Sequence, residues 1–183
     1  APPMAFPGCD PALLADREYE WWYQLAIQTF EEAGYYGEFR DFAAFFRRLY
    51  AFFGGPDPWV VYPETREVLT ELQRRGYRLA MISNFDSRLF PVLQALQLSS
   101  FWEQVIISSQ AGAAKPDRQI FQVALDRLGI GGEQALHVGD SEREDYAGAV
   151  AAGLRGFWLQ RPQQSLRDVL PFLAEERSSY FFW

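Results

Sequence analysis

The sequence predicts an α/β fold, a Rossmann-like parallel sheet covered by helices on both faces, preceded by a purely helical segment. Two observations carry this. From about residue 60 short apolar runs alternate with longer stretches of helical periodicity. Those runs are short and mostly apolar, and each is followed by a helix, which is the pattern of strands buried on both faces. Before residue 60 no run reads as a strand, and apolar residues recur at helical spacing. A chain of 183 residues that is 49% hydrophobic and 17% aromatic can build one medium domain, or a core with a small appendage.

In chain order, residues 13–33 place Trp22, Leu25, Ala26, Thr29 and Phe30 on one side of a helix, and Gly34 stops it. Residues 39–53 form a second helix whose wide apolar face holds Phe42, Phe45, Phe46, Leu49, Tyr50 and Phe53. The run Gly54-Gly55-Pro56-Asp57-Pro58 breaks the pattern. Pro63 suits the first turn of a helix that reaches Arg75 and ends at Gly76. Strands are then expected at 77–82, 104–107, 135–138 and 156–159, with helices at 87–96, 116–128, 142–152 and 164–174. The division is a helical region over 1–60 and a sheet domain over 61–183. In sheets of this kind ligands sit outside the carboxyl ends of the strands, which is where Ser83 and Asp140 fall.

Bulk properties narrow the partners. Lys and Arg total 17 against 24 Asp and Glu, a net charge of −7. That argues against nucleic acid and anionic membranes, which select basic patches, but not against a small phosphorylated ligand held by one local cation. No apolar run nears the roughly 18 residues of a membrane span, and residues 1–8 lack the pattern of a signal peptide. The lone Cys9 cannot form an internal disulfide and fits a reducing compartment, so the expected location is cytoplasmic.

Three short motifs carry chemistry. Ser83 and Asn84 end a strand and can both donate to a phosphoryl oxygen, helped by backbone N–H groups of the turn; the same residue types also make purely local turn hydrogen bonds. Lys115 precedes Pro116 at a helix start, where the helix dipole does not favour a cation. That placement suits charge compensation of an anion, although most lysines are simply exposed. Asp140 follows Gly139 directly after a strand, with Asp145 five residues on. Two neighbouring carboxylates suit Mg²⁺, and Asp140 or Ser141 equally suits a helix cap.

Taken together, MISNFDSRL, KPDRQIF and HVGDSEREDYAGAVAAG resemble the second, third and fourth motifs of the haloacid dehalogenase superfamily of hydrolases. The resemblance spans nearly the whole chain and is strongest to the group of haloacid dehalogenase-like hydrolase domain-containing protein 3 and its bacterial relatives. It implies that the first 60 residues are part of a helical cap, with EYEWWYQLAIQTFEEAG as a cap helix. It implies a Mg²⁺-dependent phosphatase acting on a small phosphorylated metabolite through an aspartyl-phosphate. Ser83 and Asn84 would bind the phosphoryl group and Lys115 would steady the anionic intermediate. Asp140 would hold Mg²⁺, and Asp145 would orient Lys115 or the metal surroundings.

The family's first motif, an apolar strand ending in Asp-x-Asp that supplies the nucleophile, has no counterpart here. Asp10 follows a stretch interrupted by Pro7 and Gly8, and Asp16 sits at a helix start. The expected sheet therefore lacks its first, central strand, leaving two unpaired ladders that invite self-association or a partner strand. The expectation is a chain that starts inside the cap and is inactive alone. The alternatives are a non-catalytic binding or assembly protein, a split enzyme, and a 2-haloacid dehalogenase-like enzyme, which would need no metal. His137 is expected to pack or to support the site from behind. Trp21, Trp22 and Tyr23 either pack or line a pocket. The aromatic end Tyr180-Phe181-Phe182-Trp183 either docks, mediates association or marks a cut.

Overall fold

The computed structural model describes residues 3–174 and 179–183. Residues 1–2 and 175–178, which belong to the expected helical region and the expected sheet domain, lie outside the described residues. The N-terminal region is helical. Helix α1 (Leu14–Glu32) follows a 3₁₀ turn that Asp10 caps, and α2 (Phe42–Phe52) is capped by Asp41, whose carboxylate accepts from Ala44 N–H at 2.9 Å. The two helices join through aromatic edges. Tyr19 and Tyr23 both meet Phe46, with ring centroids 5.2 and 5.1 Å apart.

The remaining elements follow the expected alternation, with two that were not expected, a short helix directly after the second strand and a strand at the aromatic end. They are α3 (Thr65–Arg74), β1 (Arg78–Ser83), α4 (Leu89–Ala95), β2 (Gln104–Ile107), α5 (Ser108–Ala111), α6 (Arg118–Leu128), β3 (Ala135–Gly139), α7 (Gly148–Ala151), β4 (Arg155–Trp158), α8 (Val169–Ala174) and β5 (Tyr180–Phe182). The helix expected at 142–152 is not uniform. It begins as a π-helical segment, Glu142–Ala147, before α7. The fold class holds, a parallel sheet with helices on both faces, in the order β2-β1-β5-β3-β4. One face buries Val68, Leu69 and Leu72 of α3 with Leu136 and Val138. The other buries Ile120, Phe121 and Ala124 of α6 with Ile82 and Ile106.

The expected gap in the middle of the sheet is filled. Strand β5 lies between β1 and β3, parallel to both, with Tyr180 opposite Arg78 and Ala135 and with Phe182 opposite Ala80 and His137. Its flanks extend the ladder. Ser179 N–H donates to Gln134 O at 3.0 Å, and Trp183 N–H donates to Ala80 O at 2.9 Å. The aromatic run therefore docks, and the two ladders expected to lie open are paired through it. The physical reason is the strand period of two. Phe181 points into the α3 face, while Tyr180 and Phe182 point into the α6 face, and both phenylalanines are fully buried.

The helical pair is fastened to the sheet domain by polar contacts as well as apolar ones. Glu18 of α1 is buried and accepts from Ser87 N–H at 3.1 Å, Ser87 Oγ at 2.9 Å and Ser109 Oγ at 2.6 Å. Trp22 Nε1 donates to the buried carboxylate of Asp86 at 2.5 Å. Ser87 and Asp86 both lie in the loop that follows β1, so this loop is held from the α1 side by Glu18 and Trp22.

Candidate active site

At the carboxyl edge of the sheet, four separate segments open onto one cavity of about 350 Å³. Ser83 closes β1, Lys115 precedes α6, Gly139 and Asp140 follow from β3, and Asp145 reaches in from the π-helical segment. The fold brings these residues together from across 62 positions because parallel strands deliver their ends to one side.

Lys115 and Asp145 form the centre. Their ion pair measures 2.5 Å, with side chains 11% and 6% exposed, so it is largely dry. Asp145 is crowded with donors. Its Oδ1 accepts from Lys115 Nζ and from His137 Nε2 at 3.0 Å, and its Oδ2 accepts from Ser141 N–H at 2.9 Å. Burial alone would raise this carboxyl, but the His137 hydrogen bond and the Lys115 charge outweigh it and hold Asp145 well below the usual carboxylate range. His137 is fully buried. Burial, with the nearby Lys115 charge, lowers its pKa although Asp145 pulls the other way, so the neutral imidazole places its proton on Nε2, facing the carboxylate.

Gly139 is required by this arrangement. A Cβ built there would fall 2.2 Å from Cγ of Asp145, so any side chain would expel the carboxylate. Asn84 makes a reciprocal pair with the Lys115 backbone. Lys115 N–H donates to Asn84 Oδ1 at 2.7 Å, and Asn84 Nδ2 donates to Lys115 O at 2.9 Å and Glu144 Oε2 at 3.2 Å. The side-chain amide is thus engaged in holding the lysine segment. Ser83 is half-buried at the cavity wall, and Asp140 is exposed, its main-chain O accepting from Trp158 Nε1 at 3.1 Å.

The cavity lining also holds residues that the motifs did not single out. Arg161, two residues past Leu159, and Tyr62 both line the cavity, as does Trp183 beyond β5. The guanidinium carbon of Arg161 lies 3.5 Å from the Tyr62 ring centroid, and Nη2 donates to Glu64 Oε1 at 2.8 Å. Burial raises the Glu64 carboxyl, but hydrogen bonds from its own backbone, Arg161 and Leu166 bring it below its ordinary value. The carboxyl-edge rule could have found Arg161, since it follows the fourth strand as Asp140 follows the third. Nothing local marked Tyr62.

Comparisons with known proteins agree with the fold. Residues 11–153 match the haloacid dehalogenase-like hydrolase family. Haloacid dehalogenase-like hydrolase domain-containing protein 3 of Homo sapiens is 38% identical over 155 residues, covering 83% of this chain and 61% of that protein. Phosphoserine phosphatase of Thermus thermophilus is 37% identical over 139 residues, covering 68% of this chain and 55% of that protein. The crystal structure of 2-haloacid dehalogenase from Pseudomonas syringae superposes with a TM-score of 0.64 at 24% identity, over 91% of this chain and 75% of that one, which shows the shared fold. The chain spans about six tenths of the length of the curated relatives it matches.

Proposed function

The chain belongs to the haloacid dehalogenase-like hydrolase family, and from that membership we propose that its cavity is a phosphoryl-binding site of phosphatase type. The substrate class is a small phosphorylated metabolite. The single observation that carries this is the convergence of Ser83, Lys115, Asp140 and Asp145 on one cavity, with Lys115 held by a buried carboxylate and by Asn84. Ser83 donates its hydroxyl to a phosphoryl oxygen. Lys115 offsets the anionic charge, which is most of what a protein contributes to phosphoryl transfer. Asp145 and Asn84 position the ammonium, and His137 positions Asp145 from behind.

A phosphatase of this family type implies Mg²⁺, and the donor set tests it. Asp145 already accepts three hydrogen bonds, leaving Asp140 as the one cavity carboxylate with no hydrogen bond to its side chain among the described residues. No group of three or more His, Cys, Asp or Glu side chains is placed to share a metal ion among them. Mg²⁺ takes one or two carboxylates with several waters, and in this site the remaining ligands and the attacking carboxylate would come from outside these side chains. The residues present do not by themselves fit a resident ion. This favours binding without turnover for the 183-residue polypeptide.

The test is to measure binding of inorganic phosphate by calorimetry and hydrolysis of p-nitrophenyl phosphate, each with and without Mg²⁺. Phosphate should bind, Lys115→Ala should weaken it about tenfold or more, consistent with loss of a charge-assisted contact, and hydrolysis should stay at background. Absence of phosphate binding would sink the reading. Robust hydrolysis abolished by Asp140→Asn would show that the nucleophile lies among these residues after all.

A further inference from the structure

Two arginines lie beside the loop that follows β1 or the cavity it borders, and their hydrogen bonds separate their roles. Arg88 is fully engaged within the chain. Its Nε and Nη2 donate to both oxygens of Asp86, at 2.9 and 2.5 Å for the shorter contacts, and Nη1 donates to Tyr50 O at 2.9 Å. Its guanidinium also rests on the Tyr50 ring, 3.6 Å from the centroid. Arg88 is a strut between the helical pair and the loop. Arg161 has the same aromatic seat, on Tyr62, but a single hydrogen-bond partner among the described residues, Glu64 on Nη2. Its side chain is 20% exposed and lines the cavity that holds Ser83 and Lys115. Stacking fixes the plane of the guanidinium, and the buried Glu64 fixes its rotation. Glu64 takes one hydrogen of Nη2, and the second, with the neighbouring Nε or Nη1 donor, leaves one two-donor edge for an acceptor entering the cavity.

We propose that Arg161 is a specificity-determining residue, which recognises a second anionic group of the substrate, so that the substrate class is phosphate esters carrying a nearby carboxylate. The inference rests on the phosphoryl-binding reading of the same cavity and deepens it. A planar fork with two donors matches a carboxylate, and a pre-oriented one loses little side-chain freedom on binding. The cavity volume of about 350 Å³ is near the lower end for ligand sites, which suits one small molecule carrying both anionic groups. Ser83 and Lys115 take the phosphoryl end, and Arg161 takes the carboxylate.

The test compares 2-phosphoglycolate with ethyl phosphate, which lacks the carboxylate, by calorimetry on the whole 183-residue chain. The wild-type chain should bind 2-phosphoglycolate about tenfold more tightly, the worth of one charge-assisted contact. Arg161→Gln should bring that ratio to about one, and Arg161→Lys should restore part of it. Arg161→Gln leaves Glu64 buried without its cation and risks misfolding. The double variant Glu64→Gln/Arg161→Gln removes both charges, keeps an acceptor for Leu166 N–H, and should show the same lost ratio. A wild-type ratio near one, with both ligands binding, would overturn the role of Arg161 and leave the phosphoryl site standing. A tenfold ratio that survives in the double variant would also overturn it. No binding of either ligand would overturn the phosphoryl reading together with this one.

Discussion

Each residue of the lysine motif acts through contacts, and Asn84 shows how far residue type alone can lead. Its position after Ser83 suggested a phosphoryl donor, yet its amide is paired in both directions with the Lys115 backbone. A positioning residue and a direct donor differ in one measurable way, which is additivity. Asn84→Ala should weaken phosphate binding by up to about thirtyfold, the worth of two lost hydrogen bonds of about 1 kcal/mol each. In a Lys115→Ala background the same change should do almost nothing. Calorimetry on the two single variants and the double variant checks this, and additive losses would mean that Asn84 donates to phosphate directly. Ser83, Lys115, Asp140 and Asp145 were legible because strand-end positions and motif spacing need no tertiary information. Asn84's partner was not, because it lies 31 residues away across a loop. Tyr62 was missed for the same reason: its ring against the Arg161 guanidinium is visible only once both loops are placed, whereas the carboxyl-edge rule would have marked Arg161.

Among the elements, β5 is the one whose position the sequence did not reveal. Four aromatic residues are good strand formers, but three residues are too few for a period to be read, and nothing in them names their neighbours. Only the sheet order shows that Tyr180–Phe182 sits between β1 and β3. The other strands were legible because each is an apolar run bounded by helix signals and glycines. Since Phe181 is fully buried among Val68, Leu72 and Leu136, Phe181→Ala should cost about 3–5 kcal/mol, the usual range for a core phenylalanine. Urea unfolding measures this. A cost under about 1 kcal/mol, as for a surface change, would mean that the slot does not depend on β5. The π-helical start of the segment after β3 is a second feature that periodicity could not give. It turns Asp145 toward Gly139, where the missing Cβ leaves room for the carboxylate.

At the scale of the whole molecule, stability should follow pH through one side chain. His137 is the only histidine, it is fully buried, and its pKa is lowered in the fold. Unfolded, it takes up a proton near pH 6.5. Below that value the unfolded state binds more protons than the folded state, so stability is lost as pH falls, by up to about 1.4 kcal/mol per pH unit. Asp145, also lowered, adds a loss in the same direction, beginning only below its unfolded value of about 3.9. The window between pH 6.5 and 5 therefore belongs mainly to His137. Urea midpoints at pH 7.5, 6.0 and 5.0 should fall for the wild-type chain and stay nearly level for His137→Gln, which can still donate to Asp145. Equal slopes for the two would exclude His137 as the cause.

The placement of β5 also bears on how the chain finds its fold. Arg78 and Tyr180 stand opposite each other in the sheet although 102 positions separate them, whereas β1 meets β2, and β3 meets β4, within about a quarter of that span. Closing a long loop carries more entropy than closing a short one, and folding slows as contacts become less local. The two outer strand pairs can assemble early and separately. The pairing of β1 with β5 is the least local in the sheet, so it is expected to form last, and with it the cavity at the shared edge.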